Sequence, residues 1–364
     1  MNTVEIKVDP GYCAYVEAGL IKAVGERIRE VLPGRDRLYV VTVPPVRKHW
    51  GPALTASLEA AGLKHELLEI KDGERTKNLN TIEDLAERLV HRGADRKSIV
   101  VALGGGVVGD VSGFLASVYM RGIDVVQVPT TLLAQVDSSI GGKTGVDLRA
   151  GKNLIGSFHH PRTVLIDPAV LSTLPEREYR SGLYEALKAG IISSPEVFRF
   201  MEENRERILQ REPVALEWVI TECVRVKANV VAADEREGGL RRILNFGHTI
   251  GHALEAETGY KQFLHGEAVA WGMVAAAMIA AAMQKTDSET ARRIISAVLA
   301  YAPLPKVEAR GKRIIRRLAT DKKTLNGIVH FVLPVTIGNV EIVPDVPARA
   351  IIQAVDELRY LSQA

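Results

Sequence analysis

The chain has 364 residues, enough for about two domains and a sizeable core. Its 46% apolar and 25% charged residues belong to a globular protein, and a net charge of +3 from scattered basic residues excludes a nucleic-acid tract while allowing local pockets for a small anion. The two cysteines, Cys13 and Cys223, form no pair motif, which excludes a disulfide scaffold and points to a reducing cytoplasm.

Residues 1–8 alternate like a strand and lack the pattern of a signal peptide. Runs rich in Val, Ile and Leu predict further strands over 37–43, 65–70, 98–103, 123–128 and 162–166. Between them lie amphipathic helices. One spans 80–92, with Asn80 as N-cap, Glu83 three residues later and Gly93 as its stop. This alternation predicts an α/β domain over residues 1–176, with a Rossmann-like, mostly parallel sheet. From 175 to 320 nearly every segment has helical periodicity: 183–192, 195–209, 213–233, a histidine-bearing helix, an alanine-rich helix, 288–299 and 309–319. A strand pair near 328–342 and a terminal helix from Pro347 complete a mainly helical domain over 177–364. The longest apolar run, 268–283, is too short for a membrane span and reads as a helix buried on all sides, so no membrane partner is expected.

The strand over 98–103 runs into Gly104-Gly105-Gly106-Val107-Val108-Gly109-Asp110, a match to G-x-G-x-x-G at the start of a helix. Glycines there let backbone N–H groups close on a pyrophosphate. No acidic residue ends the next strand: Asp124 stands at its beginning, and it runs out at Val128-Pro129-Thr130-Thr131. The turn is either a ligand-free strand-to-helix connection or a dinucleotide site on a variant of the Rossmann arrangement, with Asp72-Gly73-Glu74-Arg75-Thr76-Lys77 the candidate for the ribose contacts. Downstream, Asp137-Ser138-Ser139-Ile140-Gly141-Gly142-Lys143-Thr144 and Gly151-Lys152-Asn153 read as a flexible cationic loop suited to phosphate oxygens, though not as a Walker A.

Three of the nine histidines fall within 18 residues, in His248-Thr249-Ile250-Gly251-His252 and His265-Gly266-Glu267, with Glu185 upstream in Tyr184-Glu185-Ala186-Leu187-Lys188. His248 and His252 leave the same face of a helix. Imidazole and carboxylate together suit zinc, with a fourth position open to substrate. The H-E-x-x-H peptidase pattern is absent, and no P-C-x-x-C accompanies the H-x-E of a zinc deaminase.

Taken together, these segments resemble the 3-dehydroquinate synthase family of sugar phosphate cyclases. Tyr119-Met120-Arg121-Gly122, the stretch from Pro129-Thr130-Thr131 to Lys143-Thr144, Gly151-Lys152-Asn153-Leu154-Ile155-Gly156, Asn245-Phe246-Gly247-His248 and Asp321-Lys322-Lys323 complete the match over almost the whole chain. The resemblance implies conversion of 3-deoxy-D-arabino-heptulosonate 7-phosphate to 3-dehydroquinate and phosphate, in the shikimate pathway. The steps are transient NAD-dependent oxidation, β-elimination of phosphate, re-reduction, ring opening and aldol closure. It implies Glu185, His248 and His265 as ligands of one divalent metal, zinc or alternatively cobalt. NAD contacts fall to Asp72, Glu74, Lys77, Gly105, Gly106, Val107, Val108, Gly109, Asp110, Thr130, Thr131, Asp137, Lys143, Lys152, Leu171, Ser172 and Thr173. Phosphate is assigned to Lys143, Asn153, His252, Arg121 and Lys322 or Lys323. The sugar acid's carboxylate and hydroxyls fall to Lys227, Arg241 and Asn245, with Lys152 and Glu237 completing the pocket. A homodimer is a further implication. Asp147 stands where the family has asparagine and His160 where it has glutamine. The alternatives are another cyclase such as 2-deoxy-scyllo-inosose synthase, a metal-dependent polyol dehydrogenase, and a non-catalytic nucleotide-binding protein.

Overall fold

The apolar runs of the first half become strands of one sheet in the computed structural model, which describes residues 1–320, 329–344 and 346–363. In chain order these are β1 (Asn2–Ile6), β2 (Tyr12–Val16), β3 (Arg37–Thr42), β4 (Lys64–Glu69), β5 (Ile99–Gly104) and β6 (Asp124–Pro129). A separate hairpin of β7 (Lys143–Leu148) and β8 (Gly151–Phe158) precedes the last sheet strand, β9 (Thr163–Ile166). The sheet order is β1-β2-β9-β6-β5-β3-β4, parallel throughout except for β1 against β2. Every residue of β5 is buried, because apolar clusters cover both faces of the sheet; continuous apolar strands are what that arrangement demands.

The connecting helices are α1 (Val24–Val31), α2 (Pro44–Ala60), α3 (Leu79–His91) and α4 (Gly106–Val118). Helix α3 corrects one expectation. Its N-cap is Asn78, not Asn80: Asn78 is extended and its side chain accepts the Thr81 N–H, whereas Asn80 already lies inside the first turn. Gly93 ends the helix at a φ of +70°, as expected of a left-handed stop.

The segment read as a flexible loop is instead the β7–β8 hairpin, packed on α4. Val146 and Ile155 join the core beneath it, but the glycines and lysines between them dilute the alternation that marks a strand.

The remaining elements are α5 (Glu176–Ser193), α6 (Pro195–Glu203), α7 (Arg205–Leu209), α8 (Pro213–Ala233), α9 (His248–Glu257), α10 (His265–Ala282), α11 (Ser288–Ala300), α12 (Gly311–Thr320), the antiparallel pair β10 (His330–Thr336) and β11 (Asn339–Pro344), and α13 (Ala348–Leu361). The helix expected over 195–209 is broken at Asn204, which leaves helical geometry. Helix α10 is apolar enough to cross a membrane by length and composition, yet 78% of it is buried inside the protein as a core helix.

The chain divides into two compact units, Met1–Pro175 with Arg211–Arg236, and Glu176–Gln210 with Glu237–Ala364. This corrects a single boundary at 176. Helix α8 returns to the α/β unit, packing on β1 and on the turn Ala134–Ser138.

Candidate active site

In the α/β unit, β5 delivers the chain to the start of α4 through a turn stripped of side chains. A Cβ on Gly105 would lie 2.8 Å from Thr131 Cγ2, and one on Gly106 would lie 3.1 Å from Ser138 Oγ. The turn therefore admits only glycine without displacing Thr131, itself an expected cofactor contact. Gly105 is the N-cap and no side chain caps the helix, so the first N–H groups of a 13-residue helix remain for an anion. The open N–H groups and the positive end of the helix suit a pyrophosphate in charge and donor supply.

Around the turn stand several expected contacts. Lys77 pairs with Asp110 in the first turns of α4, its side chain only 6% exposed. Burial raises the Asp110 carboxyl above its ordinary range, against the pull of the Lys77 ammonium. Burial alone would lower Lys77, but Asp110 more than compensates and holds it above an ordinary lysine. Lys152 lies 3.5 Å from Glu74, and Lys227 on α8 pairs with Asp137 at 2.7 Å. Thr130 is buried at the end of β6, with its hydroxyl unpaired. Leu171 to Thr173 sit in a short 3-10 turn that Arg211 braces through the carbonyls of Leu171 and Ser172.

The expected phosphate contacts are spread more widely. Lys143 pairs with Phe158 at the end of the hairpin beside the C-terminus of α4, where Ser157 Oγ donates to Ser117 Oγ at 2.7 Å. Arg121 follows that same end of α4, about 20 Å along the axis from the glycine turn. Asn153 belongs to the opposite end of the hairpin, near Lys77. Lys322 and Lys323 lie outside the described residues.

The helical unit gathers the histidines. Helices α5, α9 and α10 approach closely because glycines stand at their crossings: a Cβ on Gly266 would lie 1.9 Å from the Ser181 carbonyl oxygen, and one on Gly272 would lie 1.8 Å from that of Gly247. That proximity brings Glu185 of α5, His248 and His252 of α9, and His265 of α10 together. The three imidazoles offer ligand atoms all within 4.8 Å of one another. Glu185 Oε1 lies 3.6 Å from His248 Nε2 and 3.4 Å from His265 Nε2. A tetrahedral zinc with bonds of about 2.0–2.1 Å places its ligand atoms about 3.3–3.5 Å apart, close to the two distances from Glu185 Oε1 to the imidazoles.

The outer contacts orient both rings. His248 Nδ1 meets the Phe246 carbonyl at 3.1 Å and His265 Nδ1 faces Glu255 Oε2 at 3.6 Å, which leaves both Nε2 atoms toward Glu185. Glu185 is almost wholly buried and neither oxygen completes an aligned hydrogen bond, although Lys188 Nζ lies 2.6 Å from Oε2 as an ion pair. Burial raises the Glu185 carboxyl, but the Lys188 ammonium and then the two imidazoles outweigh it and hold the group well below its ordinary range. Burial pushes His248 down to about 4, so it stands neutral and ready to ligate. Burial also opposes charge on His265, yet the Glu185 and Glu255 carboxylates facing it raise it to about 9. The ionised Glu185 carboxylate and the neutral His248 fit a divalent cation, which would have to displace the proton that the neighbouring carboxylates hold on His265.

Arg241 and Asn245 share this unit. Arg241 is 1% exposed, an extreme for a guanidinium, and Asn245 donates to Glu237 at 3.2 Å. Glu267 serves the fold: it caps α10 through the Leu264 N–H and takes a two-pronged bond from Arg177. Lys188 was missed in the sequence. Its only signal is the i, i+3 spacing from Glu185, which on most helices marks a solvated pair.

Comparison with known proteins adds a second line of observation. Residues 67–181 match the family model described as 3-dehydroquinate synthase N-terminal, and residues 182–324 match 3-dehydroquinate synthase C-terminal. A 3-dehydroquinate synthase from Koribacter versatilis (strain Ellin345) is 62% identical over 343 residues, 94% of each chain. The structure of 2-epi-5-epi-valiolone synthase from Streptomyces hygroscopicus subsp. jinggangensis 5008, with NAD+ and Zn2+ bound, is similar at a TM-score of 0.88 and 29% identity, covering 96% of this chain and 97% of that one. A 2-deoxy-scyllo-inosose synthase complexed with carbaglucose-6-phosphate, NAD+ and Co2+ gives 0.87 and 28%, covering 98% and 99%.

Proposed function

The chain belongs to the 3-dehydroquinate synthase family, and from that membership we propose that it converts 3-deoxy-D-arabino-heptulosonate 7-phosphate to 3-dehydroquinate and phosphate, as a carbon–oxygen lyase that uses NAD and one divalent metal. The observation that supports it best is the pairing, in one chain, of the Glu185–His248–His265 cluster, 3.6 and 3.4 Å across its Glu185 edges, with an uncapped glycine turn on α4. When bound, NAD supplies a reversible hydride acceptor and the metal a Lewis acid for vicinal hydroxyls and the ketone they yield.

The protein's own groups do the rest by holding. Glycine-turn N–H groups and the Lys77–Asp110 pair orient the dinucleotide. Oxidation of one substrate hydroxyl acidifies the neighbouring C–H, and phosphate leaves by β-elimination. The ketone is then reduced again, the ring opens, and an internal aldol closes the carbocycle. Lys143 and Arg121 neutralise the departing phosphate through charge-assisted hydrogen bonds, and Asn153 and His252 are assigned to it as further hydrogen-bonding partners. No protein base is assigned to the acidified C–H, so the substrate's own phosphate dianion takes that proton while these groups keep it in reach. Arg241, with Lys227 and Asn245, receives the carboxylate; a guanidinium fork suits that group, and a cyclase whose sugar phosphate carries no carboxylate does not need it.

A homodimer in the cytoplasm completes the proposal. Leu154 and Phe158 are exposed on one face of β8, which has β7 as its sole strand neighbour among the described residues, and Cys13 and Cys223 form no disulfide. Incubating the zinc- and NAD-loaded protein with the heptulosonate phosphate tests the reaction. The expected result is one phosphate released per substrate with no net NADH. Accumulating NADH without phosphate would instead identify a polyol dehydrogenase.

A further inference from the structure

The β7–β8 register breaks at one place. Val146 pairs with Ile155 and Leu148 pairs with Gly151, so Asp147 alone faces Lys152, Asn153 and Leu154. This is a bulge on β8, a device that re-aims side chains. It carries both residues of the hairpin's Lys152–Asn153 pair, each assigned above to ligand binding. Asn153 has a φ of +54°, the left-handed region that asparagine tolerates better than most residues. Asp147 Oδ1 accepts the Asn153 N–H at 2.7 Å and so closes the bulge. In the other direction, the Asp147 N–H donates to the Lys77 carbonyl at 2.8 Å. Lys77 in turn reaches Asp110 in the first turns of α4.

From this chain of contacts we infer that Asp147 is a positioning residue: its carboxylate holds Asn153 in its left-handed conformation, in a bulge whose backbone is tied to the cofactor loop at Lys77. The inference rests on the reading of Asn153 as a substrate contact. The bond to Asn153 needs an acceptor at Oδ1, not a negative charge, so an asparagine amide oxygen can replace it. An alanine cannot.

The test compares Asp147→Ala, Asp147→Asn and Asn153→Ala, alone and as the Asp147→Ala/Asn153→Ala pair, in the metal- and NAD-loaded protein. Asp147→Ala is expected to lower kcat/KM by about tenfold to a hundredfold, the cost of a misplaced contact, with thermal stability and zinc content showing that it folds. Asp147→Asn recovers most of that loss. In the Asn153→Ala background, Asp147→Ala removes little more, because its effect runs through Asn153. Additive losses in the double variant, or an Asp147→Asn variant as impaired as Asp147→Ala, overturn the inference. If Asn153→Ala turns over normally, the substrate reading of Asn153 fails instead, independently of Asp147.

Discussion

The turn at the start of α4 and the cluster shared by α5, α9 and α10, the two proposed ligand sites, are built from opposite materials. The turn works through absent side chains: Gly105 and Gly106 leave backbone N–H groups open, and the local charge is the modest one of an uncapped helix end. The cluster works through buried, mutually compensated charges, with Glu185 set against Lys188 and His265 against Glu255. A backbone site fails by steric intrusion and leaves the rest of its unit intact. A side-chain site fails electrostatically, and removal of one member leaves another charge stranded.

The largest expected effect lies in the cluster. His265→Ala is expected to cut bound zinc well below one per chain and turnover by about 10³-fold, several kcal/mol of Lewis-acid stabilisation. NAD affinity, set in the other unit, stays near normal. Metal analysis and cofactor titration check both halves of that contrast, and undiminished metal content would reject the ligand assignment. His265 is the clean choice because its side chain is 34% exposed, whereas Glu185 lies buried against Lys188.

Lys143→Ala is expected to lower turnover by about 10²–10³-fold, the scale of losing one preorganised charge partner in a transition state. Metal and NAD binding should survive, as equilibrium titrations can verify. Next, Lys188→Met strands Glu185. The metal-free protein should lose about 3 kcal/mol, the cost of breaking a buried pair, and the zinc-loaded protein less, since the cation replaces the lost ammonium. Equal losses in the two forms, measured by denaturant melts, would show that Lys188 does not share the cation's place in the charge balance.

Gly106→Val probes the opposite construction. Its side chain meets Ser138, so NAD should bind with a penalty of about 1–3 kcal/mol, typical of overpacking, while zinc content is unchanged. The smallest effect belongs to Glu257, where the Arg317 hydrogen bond, joined by Arg313, holds the carboxyl below its ordinary range. Glu257→Gln should cost under about 1 kcal/mol and less in high salt. Because the folded value is depressed, this contribution is present above the ordinary glutamate value of about 4.3 and is lost as pH falls through the folded one. Melts across pH 3–7, a range of about four units around that value, follow its disappearance.

The same contrast explains what the sequence disclosed. The histidine–glutamate cluster was legible because three histidines and a glutamate are chemically distinctive and His248 and His252 stand four residues apart on one face of α9. The parallel sheet was legible because strands buried on both faces must be continuously apolar. The β7–β8 hairpin was hidden by Gly145, Gly151 and Gly156, which carry no hydrophobic signal. Lys188 was hidden because its partner is set by burial, and burial of α5 comes from helices that follow much later in the chain. The excursion of α8 into the α/β unit was equally invisible, since helical periodicity says nothing about which unit a helix joins.

The central claim is that oxidation here is borrowed and returned within one turnover. It is tested most directly with heptulosonate phosphate carrying deuterium on the carbon whose hydroxyl is oxidised, at catalytic NAD. The account predicts that the 3-dehydroquinate product retains the deuterium, with phosphate release far exceeding the NAD supplied. Deuterium lost to a free NADH pool, or turnover that stops once the NAD has been consumed, would contradict it.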